Sequence, residues 1–128
     1  MYGGLNPDVV QNLKTARNRG FATDIYMSVC TAKDPLFQVN EMMDAVPENL
    51  YDKVWIRVEP NNSPGCGWTS NTPDKSCQYL RNLTSAVTSR GKDVGIYSFY
   101  GYWNQTFGNP AGCPDVSNYL LWYQADDS

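Results

Sequence analysis

The sequence of 128 residues predicts an α/β fold with parallel strands, and three observations carry that expectation. Helix starts of one local chemistry recur along the chain, each followed by a stretch with helical periodicity. Every helical stretch leads through a short connection into an apolar run rich in β-branched and aromatic residues, an order that implies parallel strands joined by right-handed crossovers. Arg19-Gly20 also precedes Ile25-Tyr26 by the same offset at which Arg90-Gly91 precedes Ile96-Tyr97, so helix stop and strand entry recur in register.

The first helix follows Asn6-Pro7-Asp8, where a capping oxygen stands before a proline suited to the first helical turn. Its periodic face is Val9, Leu13 and Ala16, and Gly20 stops it. Residues 25–29 form the first strand. Asp34-Pro35 opens the second helix, with Leu36, Val39, Met43 and Val46 on one face and Pro47 as its end. Residues 54–58 form the second strand. Thr72-Pro73-Asp74 opens the third helix, whose face carries Cys77, Leu80, Leu83 and Val87 before Arg90-Gly91 ends it. Residues 94–99 make the third strand, and a loop or short helix around residues 102–107 precedes a fourth strand over residues 118–123. In such a sheet functional groups gather at the carboxyl ends of the strands, here near residues 28–30, Glu59, residues 98–100 and residues 124–127.

The apolar fraction of 41% is that of a globular protein, and the length suits one domain. No stretch approaches the roughly 18 apolar residues of a membrane span, so no membrane association is expected. A net charge of -3 with scattered Lys and Arg leaves no footprint for nucleic acid. The chain has no histidine, which excludes Ser-His-Asp and Cys-His nucleophile systems and every His-containing zinc site. Carboxylates must carry any acid-base chemistry. Pro64-Gly65-Cys66-Gly67 is too short for a phosphate loop, no acidic spacing matches a calcium loop, and no cofactor is expected.

Cys30, Cys66, Cys77 and Cys113 are even in number and contain no C-x-x-C pair, so disulfides are the better reading than metal. Of the connectivities open to them, Cys66 with Cys77 is the first choice because a short loop joins the two. The sequons Asn61-Asn62-Ser63, Asn82-Leu83-Thr84 and Asn104-Gln105-Thr106 suit a secreted protein. The opening Met1-Tyr2-Gly3-Gly4 shows no basic and apolar leader, so a signal peptide is not visible.

The most informative segment is Val54-Trp55-Ile56-Arg57-Val58-Glu59-Pro60. Alternation along a strand puts Trp55, Arg57 and Glu59 on one face and Val54, Ile56 and Val58 on the other. A carboxylate ending an apolar strand, followed by proline and a long loop, sits where parallel α/β folds place catalytic groups. The competing reading is an ion pair between Glu59 and Arg57 with no further role. Aromatic residues are the second signal: Trp68 in the loop over residues 61–71, and Tyr97, Tyr100, Tyr102 and Trp103 just beyond the third strand. Rings in such places pack against the apolar faces of sugars while polar tips bond hydroxyls. Tyr26, Trp55 and Trp122 are assigned to packing, which leaves Trp68, Tyr100 and Trp103 as candidates for saccharide contact.

Four stretches occur in order along the chain: Asp24-Ile25-Tyr26-Met27-Ser28-Val29-Cys30, Val54-Trp55-Ile56-Arg57-Val58-Glu59, Gly95-Ile96-Tyr97-Ser98 with Trp103 and Phe107-Gly108, and Leu121-Trp122-Tyr123. Together they resemble the lysozymes of glycoside hydrolase family 25, nearest the invertebrate and protist lysozyme-like group. The resemblance implies a TIM-barrel-like parallel β/α-barrel, here a partial barrel of about four βα units, incomplete at both ends of a single lysozyme-like domain over residues 1–128. It implies a muramidase that cleaves peptidoglycan or a related polysaccharide after N-acetylmuramic acid, in defence against bacteria or their digestion, outside the cell or in the secretory and lysosomal compartments. Glu59 matches the family's general acid. Arg57 stands where the catalytic strand of the family reads Asp-x-Glu, and a cation beside a carboxylate favours the ionised form, which donates no proton. The alternative is therefore an impaired or inactive saccharide-binding homologue, or a barrel fragment associating through its open sheet edges. Arg57, Trp68, Tyr97, Tyr100, Trp103 and Asp126 complete the expected substrate site.

Overall fold

Two of the three proline-marked starts are capped as their chemistry dictates. The Asp34 carboxylate accepts from the Phe37 N–H at 2.8 Å with Pro35 in the first turn, and the Thr72 hydroxyl accepts from the Lys75 N–H at 3.3 Å ahead of Pro73. The computed structural model describes residues 8–20, 23–61, 63–109 and 112–122. Asn6, Pro7 and Asp126 lie outside the described residues, as does the side chain of Val9. The two Arg-Gly stops behave alike: Gly20 and Gly91 both adopt φ 81°, the left-handed conformation that only glycine takes without strain, and so end their helices.

The elements run α1 (Val9–Asn18), β1 (Asp24–Ser28), α2 (Pro35–Ala45), β2 (Lys53–Val58), α3 (Pro73–Ser89), β3 (Asp93–Ser98), α4 (Tyr100–Phe107) and β4 (Leu120–Trp122). Short 3-10 turns at Glu48–Leu50, Trp68–Ser70 and Pro114–Tyr119 fill the connections. The last of these takes residues expected to begin the fourth strand, so β4 is shorter than the sequence suggests. All strand pairs are parallel in the order β1-β2-β3-β4, with Met27, Ile56 and Ile96 in one register row.

One face of the sheet carries the core. Ile25, Met27, Val54, Ile56, Val58, Val94 and Ile96 are buried there with Val39, Met42 and Met43 of α2 and Leu80, Leu83 and Val87 of α3. At roughly 1.5–3 kcal/mol for each fully buried aliphatic side chain, this layer is the main source of stability. The periodicity of α2 differs from expectation at one position: Leu36 is 54% exposed, and Gln38 and Met42 take inward places beside Val39 and Met43. The other face of the sheet presents Asp24, Tyr26, Lys53, Trp55, Arg57, Asp93 and Tyr97, all partly or largely exposed. No described element covers it.

Two expectations are corrected. Among the described residues the parallel β/α-barrel of about four units is not formed: β1 and β4 are the two edges of an open four-stranded sheet, and the architecture is a small open α/β domain. The barrel was implied by the family resemblance; the alternation of helix and strand is common to open sheets and barrels alike, and closure depends on strand number, tilt and shear, which short motifs do not encode. The first-choice disulfide Cys66–Cys77 is likewise replaced by Cys30–Cys66 and Cys77–Cys113. Between Cys66 and Cys77 the buried Trp68 turn and the first residues of α3 intervene, and Cys77 faces the segment that enters β4. All four cysteines are thus bridged. Each bridge spans 36 residues of sequence, which by loop entropy corresponds to about 4 kcal/mol of stabilisation.

Candidate functional site

Glu59 directly follows β2, a central strand, and its side chain is 29% exposed. Its Oε1 lies 3.4 Å from a terminal guanidinium nitrogen of Arg57, whose side chain is 39% exposed. Arg57 stands in register with Ser28 on one side and Tyr97 on the other, and its guanidinium carbon lies 5.0 Å from the centre of the Tyr26 ring. Its Nε is buried without a hydrogen-bond partner. A surface ion pair of this length contributes little to stability, on the order of 0–1 kcal/mol. The pair therefore does not by itself explain why two charged groups occupy the end of an apolar strand.

The loop after Glu59 is tied down from several directions. The Asn61 amide donates to the Val29 carbonyl at 3.1 Å, and its oxygen accepts from the Ser63 N–H at 3.0 Å. The Cys30–Cys66 bridge and the Thr31 hydroxyl, within bonding distance of the Cys66 and Gly67 carbonyls, join this loop to the end of β1. Gln38, buried in α2, accepts from the Cys30 N–H and donates to the Cys30 carbonyl, both at 2.9 Å. Gln38 also donates to the Tyr79 hydroxyl, which in turn reaches the carbonyls of Cys30 at 2.9 Å and Lys33 at 2.7 Å. Burial pushes the Tyr79 phenol up to about 12. Sequence reasoning missed Gln38 and Tyr79 as positioning groups. The signal available was a glutamine at an inward position of an otherwise apolar helix face.

The aromatic candidates divide. Tyr100, at the start of α4, is 55% exposed, and Tyr97 is half-buried on the open face. Trp68 and Trp103 are each only 1% exposed: Trp68 packs edge-on against Tyr79 and Trp103 against Phe107. Their rings are core, and in this arrangement neither presents a face to a sugar. Conversely, Tyr26 and Trp55, assigned to packing, lie on the open face. Tyr26 is 48% exposed and sits with Trp55 at 6.2 Å between ring centres and with Tyr97 at 5.5 Å. Strand alternation already placed Trp55 on the face of Arg57; the preference of large aromatics for interiors overrode that signal.

The result is a partly exposed carboxylate and guanidinium at one end of an open face lined with rings. Such a surface can stack against the apolar faces of sugar rings and hydrogen-bond their hydroxyl and acetamido groups. Among the described residues, no three His, Cys, Asp or Glu side chains are grouped to hold a metal ion, and no helix is long and apolar enough to cross a membrane.

Comparison with known proteins gives the same direction. The chain is 30% identical to a probable GH family 25 lysozyme 3 of Dictyostelium discoideum over 98% of its own length and 25% of that protein. It is 27% identical to counting factor 50 of the same organism, over 94% of this chain and 40% of the other. It is also 27% identical to lysozyme-like protein 2 of Caenorhabditis elegans, over 94% of this chain and 42% of the other. The chain thus spans a quarter to less than half of the length of these relatives. No solved structure matches it. The family model described as Lysozyme-like protein 1 matches residues 1–128, the whole chain, and the protein therefore belongs to that family of lysozyme-like proteins, akin to the family 25 lysozymes.

Proposed function

We propose that the chain acts as a lysozyme-like hydrolase on bacterial peptidoglycan, with Glu59 as proton donor to the glycosidic oxygen. The observation that carries this reading is the position of Glu59: partly exposed, at the carboxyl end of a central strand, beside an open face lined with aromatic rings. As the bond between C1 and the leaving oxygen breaks, the acid hands its proton to that oxygen and positive charge develops at C1. One protein acid suffices where the acetamido oxygen of the substrate itself attacks C1, the substrate-assisted route; water then attacks C1, displaces that oxygen and gives its proton to the Glu59 carboxylate, which restores the acid. Arg57, Tyr97 and Tyr100 surround the sugar in this reading, and Asp126 is proposed to approach from the carboxyl-terminal segment. Two disulfides suit an oxidising compartment, so we place the protein outside the cell or in the secretory and lysosomal route, where it serves defence or digestion.

The test is clearing of a peptidoglycan suspension. Glu59→Gln should lower the rate by about a hundredfold or more, the usual effect of losing a general acid, and Arg57→Asp should raise it. Equal clearing by wild type and Glu59→Gln removes Glu59 from the chemistry. A second reading is favoured by the Arg57–Glu59 pair, which puts a cation where the family's catalytic strand carries an aspartate. Here the protein retains the saccharide without cleaving it, and the sign is co-sedimentation with peptidoglycan in the absence of any clearing.

A further inference from the structure

At the opposite end of the sheet, glycine takes the place of a side chain in the middle of β3. A Cβ at Gly95 would stand 2.4 Å from the Trp55 ring and 2.9 Å from the Lys53 side chain, so the indole lies directly on the backbone of the neighbouring strand. Its orientation is fixed further by the Nε1–H donating to Asp24 at 3.1 Å and by the Lys53 ammonium 4.1 Å from the ring centre. Glycine within a strand forfeits packing and chain entropy, and a recurrent reason to tolerate it is close approach of another group. Here that group is a flat aromatic ring held in a single pose.

Trp55 forms one wall of a hollow of about 520 Å³, with Asp93, Asn118 and Tyr119 among its other walls. The volume is within the range of small-molecule sites, about 300–1,000 Å³. Lys53 and Asp93 stand in register on adjacent strands yet form no ion pair, because the ammonium turns onto the indole instead. The side chains of Asp93, Asn118 and Tyr119 make no hydrogen bond to other described residues. The hollow therefore offers a planar apolar floor ringed by donors and acceptors that have no partner among the described residues. Lys53 and Asp93 are the charged groups on its walls, and the Asp24 carboxylate stands at the indole N–H beside them. A phosphate or a carboxylate meets more repulsion than attraction there, whereas a neutral polyhydroxyl ring satisfies both the floor and the rim.

We infer that this hollow is a second saccharide site, which holds one sugar unit against Trp55 without cleaving it. From Trp55 to Glu59 is four residues along an extended strand, about 13 Å at about 3.3 Å per residue, so the hollow lies away from the proton donor although the indole adjoins the Tyr26 and Tyr97 rings of the same face. The site does not depend on Glu59 as an acid. It gives the protein a grip on a glycan at a point remote from the proposed chemistry.

The test is titration of the isotope-labelled full chain with the β-1,4-linked trimer of N-acetylglucosamine, followed by NMR at the Trp55 indole N–H and the Asn118 side-chain amide. Both signals should shift saturably, equally in wild type and in Glu59→Gln. Asn118→Ala and Asp93→Ala should each weaken binding about fivefold, the equivalent of one hydrogen bond, and Gly95→Ala should weaken it by displacing the indole. Spectra of each variant report whether the fold persists, and Asn118, being exposed at the rim, is the substitution least able to disturb it. Shifts confined to Tyr97 and Tyr100, with the indole unmoved, overturn this site and leave the proposed function standing. Unaltered binding by both Asn118→Ala and Asp93→Ala, or no shift anywhere, also overturns it. Shifts at Trp55 with none around Glu59 support this site and count against the catalytic reading.

Discussion

Adjacent residues of β2 occupy opposite environments. Val54, Ile56 and Val58 are wholly buried beneath the helices, whereas Lys53, Trp55 and Arg57 between them are partly exposed. The covered face is aliphatic and closely packed; the open face combines rings, charges and a glycine that makes room for a ring. The difference teaches that one strand carries two independent programmes, stability on the face against α2 and α3 and, in the function proposed above, recognition on the face away from them. A change on one face should leave the other largely intact.

The largest expected effect lies on the covered face. Ile56→Ala should destabilise the protein by about 3 kcal/mol, through lost burial and the cavity left behind. Its neighbour Trp55→Ala, although it removes a larger side chain, should destabilise by only about 1 kcal/mol, since the ring is part-exposed and rests on Gly95. Urea denaturation of both variants checks the contrast. Equal losses of stability would break the division into two faces. A smaller effect concerns Tyr79, which links α3 to the end of β1. Its pKa is raised by burial to about 12, while the unfolded chain loses a phenolic proton near pH 10. The raised value means that the folded state holds this proton longer, so stability is full below about pH 10 and declines as pH climbs from there towards 12. Tyr79→Phe should flatten that part of the decline, as seen by comparing urea midpoints at neutral and alkaline pH. An unchanged alkaline slope would show that the phenol does not couple to folding. Tyr51, also raised by burial, contributes in the same direction and persists in the variant.

The helices and strands were legible because their signals are local. A capping oxygen before proline, an Arg-Gly stop and an aliphatic run each act within a few residues, and α2, α3 and β1 to β3 form where those signals lie. What was not legible is set by distant contacts. Whether a parallel sheet closes depends on its curvature, which no residue of the chain announces, and the barrel expectation failed there. Short sequence separation favoured Cys66–Cys77, but the fold places Cys66 beside Cys30 at the end of β1 and Cys77 beside Cys113 before β4. The site shows the same split. Alternation along a single strand put Glu59 and Arg57 on one face, and they do meet. Trp68 and Trp103 were chosen for lying in or near loops, where chain position says nothing of burial, and both turned inward. Gln38 escaped notice because its role is to hold the backbone of Cys30, a group eight residues earlier.

The most direct measurement of the proposed chemistry is digestion of purified peptidoglycan in water enriched in oxygen-18, with mass spectrometry of the released fragments. Hydrolysis by an acid at Glu59 places the heavy oxygen on new reducing ends at N-acetylmuramic acid in the wild-type digest, and Glu59→Gln releases almost none. Fragments identical to those of a protein-free control, or labelled ends formed just as readily by Glu59→Gln, contradict it.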